Sequence, residues 1–250
     1  MRRFFIEEII ERDGLCTVSG TEARHITKVL RMIQGDRFIL MDGKGKVFEA
    51  RIGALSPKEV IVNLEKKIPP PKASPVYITI CQALLKSGPM DYMIQKTSEL
   101  GVNLILPFMS ERTVVKFDRD RAVNKMKHWQ NILQSAAKQS GRGRPADISP
   151  PQRFHETVSR FKCEEALKVI FWEEENSMGL KGLLKTSSPA KEFVGIVGPE
   201  GGLTGKEVEA ARDAGFISVS FGSRILRAET AAIAIASIVQ YEWGDLEPVS

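Results

Sequence analysis

Apolar residues follow two different periods along the chain, and the change falls near residue 70. Ahead of it they come in runs of strand length. Arg37–Met41 and Val47–Ile52 flank Asp42-Gly43-Lys44-Gly45, a composition suited to a tight hairpin turn, and Glu59–Leu64 forms a further strand. A helix is predicted from about Glu22 to Met32, with Thr21 as its cap and Gly35 beyond its end. Such strand-rich content in about 70 residues suits a small β-barrel, because closure removes exposed strand edges.

The run Ile68-Pro69-Pro70-Pro71-Lys72-Ala73-Ser74-Pro75 then punctuates the chain. Successive prolines lack backbone N–H donors and join neither a helix nor a central strand, so this segment reads as a stiff connector. The expected division is residues 1–72 and 73–250. Beyond it, strands are predicted at Val76–Gln82, Asn103–Phe108, Ala166–Trp172, Phe193–Val197 and Phe216–Phe221. Helices are predicted at Met90–Leu100, Arg119–Ser140 and Ala231–Tyr241. In the second of these, Ala122, Met126, Trp129, Leu133 and Ala136 form one apolar stripe. Alternating strands and helices imply an α/β class with a mostly parallel sheet covered on both faces. The last helix is almost all Ala and Ile in its first half, which predicts burial all round, partly against a second subunit.

Composition narrows the functional classes. No apolar run approaches the roughly 20 residues that cross a bilayer, so no membrane role is expected. Glu7, Glu8 and Glu11 interrupt any signal-peptide core. Cys16, Cys81 and Cys163 are far apart and odd in number, and His25, His128 and His155 are equally scattered. Free thiols in a reducing cytoplasm and no metal site are the expectation. The net charge of +5 is unevenly spread. Residues 1–72 hold 14 basic and 10 acidic side chains, residues 107–145 hold 9 and 3, and residues 146–250 hold 11 and 16. Positive charge in the first part and one middle segment suits a polyanionic partner, although solvated helix faces give the same pattern.

Two loops in the last third carry the candidate chemistry. The strand Phe193–Val197 runs into Gly198-Pro199-Glu200-Gly201-Gly202, and Thr204-Gly205-Lys206-Glu207 then reads as a helix-capping box. Ligands of open α/β sheets bind beyond the carboxyl ends of strands, where this loop lies, and its glycines permit close backbone approach. The pattern matches neither GxGxxG nor GxxxxGK[ST], which weighs against dinucleotide and phosphate-loop sites. The second loop is Gly222-Ser223-Arg224-Ile225-Leu226-Arg227-Ala228-Glu229-Thr230, with two arginines among apolar residues.

This pair of segments, Gly198–Gly202 with Arg224–Ala231, resembles the paired motifs of the ribosomal small-subunit methyltransferase E family, within the SPOUT or α/β-knot methyltransferases. The resemblance extends to Gln95–Val102, Ser110-Glu111-Arg112, Ser135–Ser140 and His25–Arg31, nearly the whole chain. One departure is Phe221, where leucine is expected. The resemblance implies an N-terminal PUA-like RNA-binding β-barrel and a C-terminal α/β trefoil-knot methyltransferase domain. It further implies a homodimer, S-adenosyl-L-methionine as cofactor, and N3-methylation of uridine 1498 in the 16S rRNA of the small ribosomal subunit.

On that footing, Arg227 is the candidate that stabilises negative charge developing on the uracil carbonyls, with Arg224 second. Glu200 or Glu229 accepts the N3 proton or orients the arginine, and Glu229 equally suits a helix cap. Cofactor contacts are expected from Gly198, Glu200, Gly201, Gly202 and Leu203 in the first loop. Phe221, Gly222, Ile225, Leu226 and Ala228 are expected to supply the rest. RNA contacts are expected from Arg2, Arg3, Arg24, Lys28 and Arg31, and in a second set from Arg112, Arg142 and Arg144. His25 reads as a packed or capping residue. The competing readings are a related methyltransferase with another RNA target, a non-catalytic RNA-binding protein, and an enzyme acting on nucleotides or nicotinamide cofactors.

Overall fold

A computed structural model describes residues 1–56, 58–115, 119–162 and 165–246, with the backbone alone at 119–121. Its contacts divide the chain into two units, Met1–Ala73 with Ala137–Pro145, and Ser74–Ala136 with the residues from Ala146 onward.

The first unit holds β1 (Arg3–Phe5), β2 (Leu15–Ser19), α1 (Gly20–Arg24), β3 (Arg37–Met41), β4 (Val47–Leu55) and β5 (Glu59–Lys67). Their order in the sheet is β1-β3-β4-β5-β2, with β1 parallel to β3 and the other neighbours antiparallel. The predicted hairpin joins β3 to β4. Asp42 Oδ1 accepts the backbone N–H groups of Lys44 (2.8 Å) and Lys46 (3.0 Å), which closes the turn. Side chains alternate as a pleat requires: Cys16 and Val18 of β2 and Val60 and Val62 of β5 point into the core, their neighbours out. Two register shifts in β4, at Glu49/Ala50 and Ile52/Ala54, act as bulges that bend a nine-residue strand around that core.

The edges β1 and β2 are not hydrogen-bonded to each other among the described residues, and a helical segment covers the seam. The α1 helix packs on β2 and β5, and His25 meets Phe4 of β1 edge-on, centroids 5.9 Å apart. This segment differs from the predicted 22–32 helix. Its cap position is Ser19, α1 ends at Arg24, and from His25 to Val29 the turn widens so that Leu30 N–H reaches the His25 carbonyl (2.9 Å). The β-branched run Ile26-Thr27 and the left-handed Arg31 (φ 48°) disfavour further α turns. Residues 137–145 belong to this unit: Ala137 completes a small cluster with Phe5, Met41 and Val47, and Lys138 pairs with Glu22.

The second unit holds β6 (Tyr77–Ala83), α2 (Ser87–Glu99), β7 (Leu104–Met109), α3 (Arg119–Ser140, its last turn in the first unit), β8 (Asp147–Ile148), β9 (Gln152–Arg153), α4 (Phe154–Arg160), β10 (Leu167–Phe171), α5 (Leu180–Thr186), β11 (Glu192–Val197), α6 (Gly205–Asp213), β12 (Ile217–Val219) and α7 (Ala228–Trp243). The sheet order is β12-β10-β11-β6-β7-β8, with β9 also on β7, and every described pairing is parallel. Both faces are buried. Ile78, Ile80 and Phe193 face one core with residues of α2, α3, α5 and α7, whereas Cys81, Val194 and Ile196 face another with α4 and α6. Gly195 in β11 leaves room for the Phe193 ring, which a Cβ there would meet at 3.1 Å, and Ile235 of α7 packs over the same point.

Burial of α7 within this one chain is one-sided, which leaves the face expected to meet a second subunit open. Ala232, Ile235, Ala236 and Val239 are buried, whereas Ile238 and Tyr241 are exposed. Cys16 and Cys81 are buried, and burial pushes the Cys16 thiol above its usual pKa; Cys163 lies outside the described residues.

Candidate active site

Parallel strands end on one edge of their sheet, and there β10, β11 and β12 open into a cavity of about 510 Å³. Their last residues, Phe171, Val197 and Val219, line it, as does Pro89 from the first turn of α2. Three loops complete the walls: Trp172-Glu173 after β10, the glycine-rich loop after β11, and Ser220–Arg227 after β12, leading into α7.

The glycine-rich loop is tied down from three sides. Gln82, fully buried at the end of β6, directs its amide toward the carbonyls of Ala83 (3.1 Å), Val197 (3.5 Å) and Gly198 (3.2 Å). The predicted capping box is present: Glu207 Oε2 accepts the Thr204 N–H (2.9 Å), and Thr204 Oγ1 accepts the Glu207 N–H (3.3 Å). The other oxygen of the same carboxylate accepts the backbone N–H of Glu111 (2.9 Å), 96 residues away. Beside it, Arg112 Nη1 donates to the Gly201 carbonyl (3.0 Å).

The loop after β10 has its own anchor. The Glu175 carboxylate accepts hydrogen bonds from Ser177 and Ser218, and Arg212 lies 3.2 Å away. These bonds, led by the Ser177 hydroxyl, hold its pKa down at about 2. The Arg212 guanidinium also covers the Trp172 ring at 5.6 Å. Phe221 stacks on Phe171 with centroids 4.6 Å apart and planes 17° from parallel. That contact accounts for an aromatic ring where the family resemblance favours leucine.

The structure brings most of the predicted site together. Arg224, Arg227 and Glu229 line the cavity, and neither arginine side chain has a hydrogen bond or ion pair among the described residues. Glu229 sits half-buried in the first turn of α7, where its charge suits the helix N-terminus. Gly198, Glu200, Gly202 and Leu203 line the cavity, as do Phe221, Gly222, Ile225, Leu226 and Ala228. Gly201 does not; the position of its missing Cβ lies 3.4 Å from the Arg112 Cβ, so it makes room for that side chain.

Sequence reasoning missed Pro89, Trp172 and Glu173. The rule that ligands sit beyond strand carboxyl ends, applied to the strand predicted at Ala166–Trp172, points to the last two.

The basic residues separate. Arg2, Arg3, Arg24, Lys28 and Arg31 are exposed on the first unit, which also carries Arg142 and the exposed Arg144. The Arg3 guanidinium lies against Gly141, where a Cβ would be 2.8 Å from Nη1, so Arg3 adjoins the 142–144 segment. Arg112 belongs to the second unit and spends a donor on Gly201.

Comparison with known proteins agrees with this architecture. Residues 72–240 match the RNA methyltransferase domain family, and residues 18–65 match the RNA methyltransferase PUA domain family. Over 233 residues the chain is 33% identical to ribosomal RNA small subunit methyltransferase E of Synechocystis sp., covering 93% of this chain and 74% of that protein. The Bacillus subtilis protein of the same name is 29% identical over 249 residues, 97% of each chain. The crystal structure of ribosomal RNA small subunit methyltransferase E from Neisseria gonorrhoeae, bound to S-adenosyl methionine, superposes with a TM-score of 0.89 at 33% identity, covering 99% of this chain and 100% of that one. A PUA domain followed by an α/β domain of the SPOUT methyltransferase class is therefore the fold. With one family matched over two thirds of its length and a relative 33% identical over 93% of this chain, the chain belongs to the ribosomal RNA small subunit methyltransferase E family of RNA methyltransferases.

Proposed function

We propose that the protein uses S-adenosyl-L-methionine to methylate N3 of a uridine in 16S rRNA of the small ribosomal subunit, at position 1498, and does so as a cytoplasmic homodimer. The observation that carries this reading is the pair of unpartnered arginines, Arg224 and Arg227, beside the half-buried Glu229 at the wall of one cavity. The cavity suits the donor. Its volume of about 510 Å³ lies within the roughly 300–1,000 Å³ of small-molecule sites. Leu203, Ile225 and Leu226 offer apolar surface for adenine, and the glycine-rich backbone of the β11 loop leaves room for close contacts.

The donor supplies an electrophilic methyl group. The chain's own residues align the acceptor and manage its proton. Arg227 places its guanidinium against the uracil oxygen that gains charge as N3 loses its proton, and Arg224 supports it. Glu229 accepts the N3 proton; an arginine, protonated at all working pH values, cannot. Residues 1–72 form the RNA-binding domain and residues 73–250 the catalytic one, with Arg2, Arg3, Arg24, Lys28, Arg31, Arg142 and Arg144 contacting phosphates. Arg112, which also donates to the Gly201 carbonyl, is a further RNA contact. The exposed Ile238 and Tyr241 on the otherwise apolar α7 support a second subunit packed there.

The test incubates the protein with labelled S-adenosylmethionine and small subunits lacking the modification, followed by nucleoside mass spectrometry. New 3-methyluridine at position 1498 is the expected result, and label at another nucleoside or ribose would refute the assigned target. Arg227→Ala should lower turnover by about 10²–10³-fold with donor affinity retained, as loss of one transition-state donor does. Near-normal turnover would remove Arg227 from the mechanism.

A further inference from the structure

We propose that the Glu173 carboxylate, held on the cavity wall against Gly202, is the counter-ion for a cationic group of the methyl donor. The inference rests on the donor assignment above and adds a contact that neither sequence motif contains.

Glu173 follows β10 by two residues and lines the cavity. Its Oε1 lies 2.8 Å from the position a Cβ would take on Gly202, so the carboxylate rests on the backbone of the glycine-rich loop. Gly202 has φ +71°, a conformation that disfavours any side chain there. The segment carrying Glu173 is fixed on either side. Glu175 is bound to Ser177, Ser218 and Arg212, and Trp172 lies under the Arg212 guanidinium. Glu173 itself has no hydrogen bond or ion pair among the described residues.

No cation of the described residues lies within ion-pair distance of Glu173, although Arg224 and Arg227 line the same cavity. Arg212 serves Glu175 and Glu209, and Arg112 donates to the Gly201 carbonyl. Glu173 is exposed to the open cavity from an anchored loop and has no ion-pair partner among the described residues, so a ligand that fills the cavity can bring its positive charge against the carboxylate. Two other carboxylates line the walls. Glu229 stands in the first turn of α7 beside Arg227, and Glu200 belongs to the β11 loop itself; Glu173 alone reaches that loop from a neighbouring strand.

S-adenosylmethionine has two cations, the sulfonium and the α-ammonium of its methionine part. Methyl transfer abolishes the first and leaves the second, so the product S-adenosylhomocysteine separates them. Calorimetric titration of the full chain and of Glu173→Gln with both ligands is the test. Donor affinity should fall about tenfold in Glu173→Gln, the equivalent of roughly 1.4 kcal/mol, with thermal stability unchanged because no described protein contact is lost. An equal loss for the product places the contact at the ammonium. An unchanged product affinity places it at the sulfonium and makes Glu173 favour product release.

Donor affinity within twofold of the parent chain would overturn the proposal while leaving the donor assignment intact. Absence of binding of either ligand to the parent chain would overturn both. Glu175→Gln, which loosens the loop but leaves the Glu173 charge, serves as the comparison. If it weakens donor binding while Glu173→Gln does not, the loop acts through its shape and the counter-ion role is wrong.

Discussion

The carboxylate of Glu207 joins two loops at the cavity, and its removal has a calculable consequence. It is 5% exposed, and its two oxygens accept from the backbone N–H groups of Thr204 and Glu111, each at 2.9 Å, and from the Thr204 hydroxyl at 3.1 Å. Glu207→Ala strands both backbone donors and removes half of the capping box. A hydrogen bond to a charged group contributes about 1.5–3 kcal/mol, and a lost cap costs about 1 kcal/mol. Thr204 and Glu111 are only partly covered, so water can satisfy some of what is lost. A net destabilisation of about 3 kcal/mol follows, which for a domain of this size lowers Tm by roughly 6–12 °C. Glu207→Gln keeps one acceptor oxygen and should lose about half as much. Thermal unfolding followed by circular dichroism measures both, and calorimetry reports whether donor affinity falls as the glycine-rich loop loosens. A Tm drop below 2 °C for Glu207→Ala, or equal losses for the two variants, would refute this account of the carboxylate.

Glu175 predicts a dependence on acid. Its folded pKa of about 2 lies below the ordinary glutamate value of 4.5, so its stabilisation is fully present above pH 4.5 and is lost as pH falls toward 2. The Tm difference between the parent chain and Glu175→Gln should therefore be constant near neutrality and shrink below pH 4.5; a difference that persists unchanged at pH 2.5 would contradict the linkage. On the first unit, replacing Arg142 and Arg144 with alanine should weaken RNA binding across sequences and reduce the slope of log affinity against log salt by about 0.7–0.9 per lost phosphate contact. An unchanged slope would return these residues to the solvated surface.

Much of the fold was legible in the residues because it depends on local rules. The hairpin at Asp42–Gly45 needs only an aspartate whose side chain bonds N–H groups two and four residues ahead. The capping box of Thr204 and Glu207 spans three residues and formed as read. The long helix Arg119–Ser140 has the predicted bounds, since one apolar stripe at helical spacing suffices to mark it. The pair of loops beyond β11 and β12 was legible as well, because glycines and arginines after apolar strands mark the carboxyl edge of such a sheet.

What the tertiary structure decided lies in pairings distant in the chain. Glu207 bonds Glu111 across 96 residues and Arg112, an exposed arginine, bonds Gly201 across 89, and both support the cavity loop. The segment after Ser19 also brings His25 edge-on to Phe4 of β1, a contact between residues 21 positions apart. Phe221 is aromatic for a partner 50 positions back, and Glu173 enters the cavity because β10 lies between β11 and β12. Periodicity determines which face of an element is buried. Which elements then become neighbours is settled only when the sheet assembles, because the free energy of that choice resides in contacts between residues far apart in sequence.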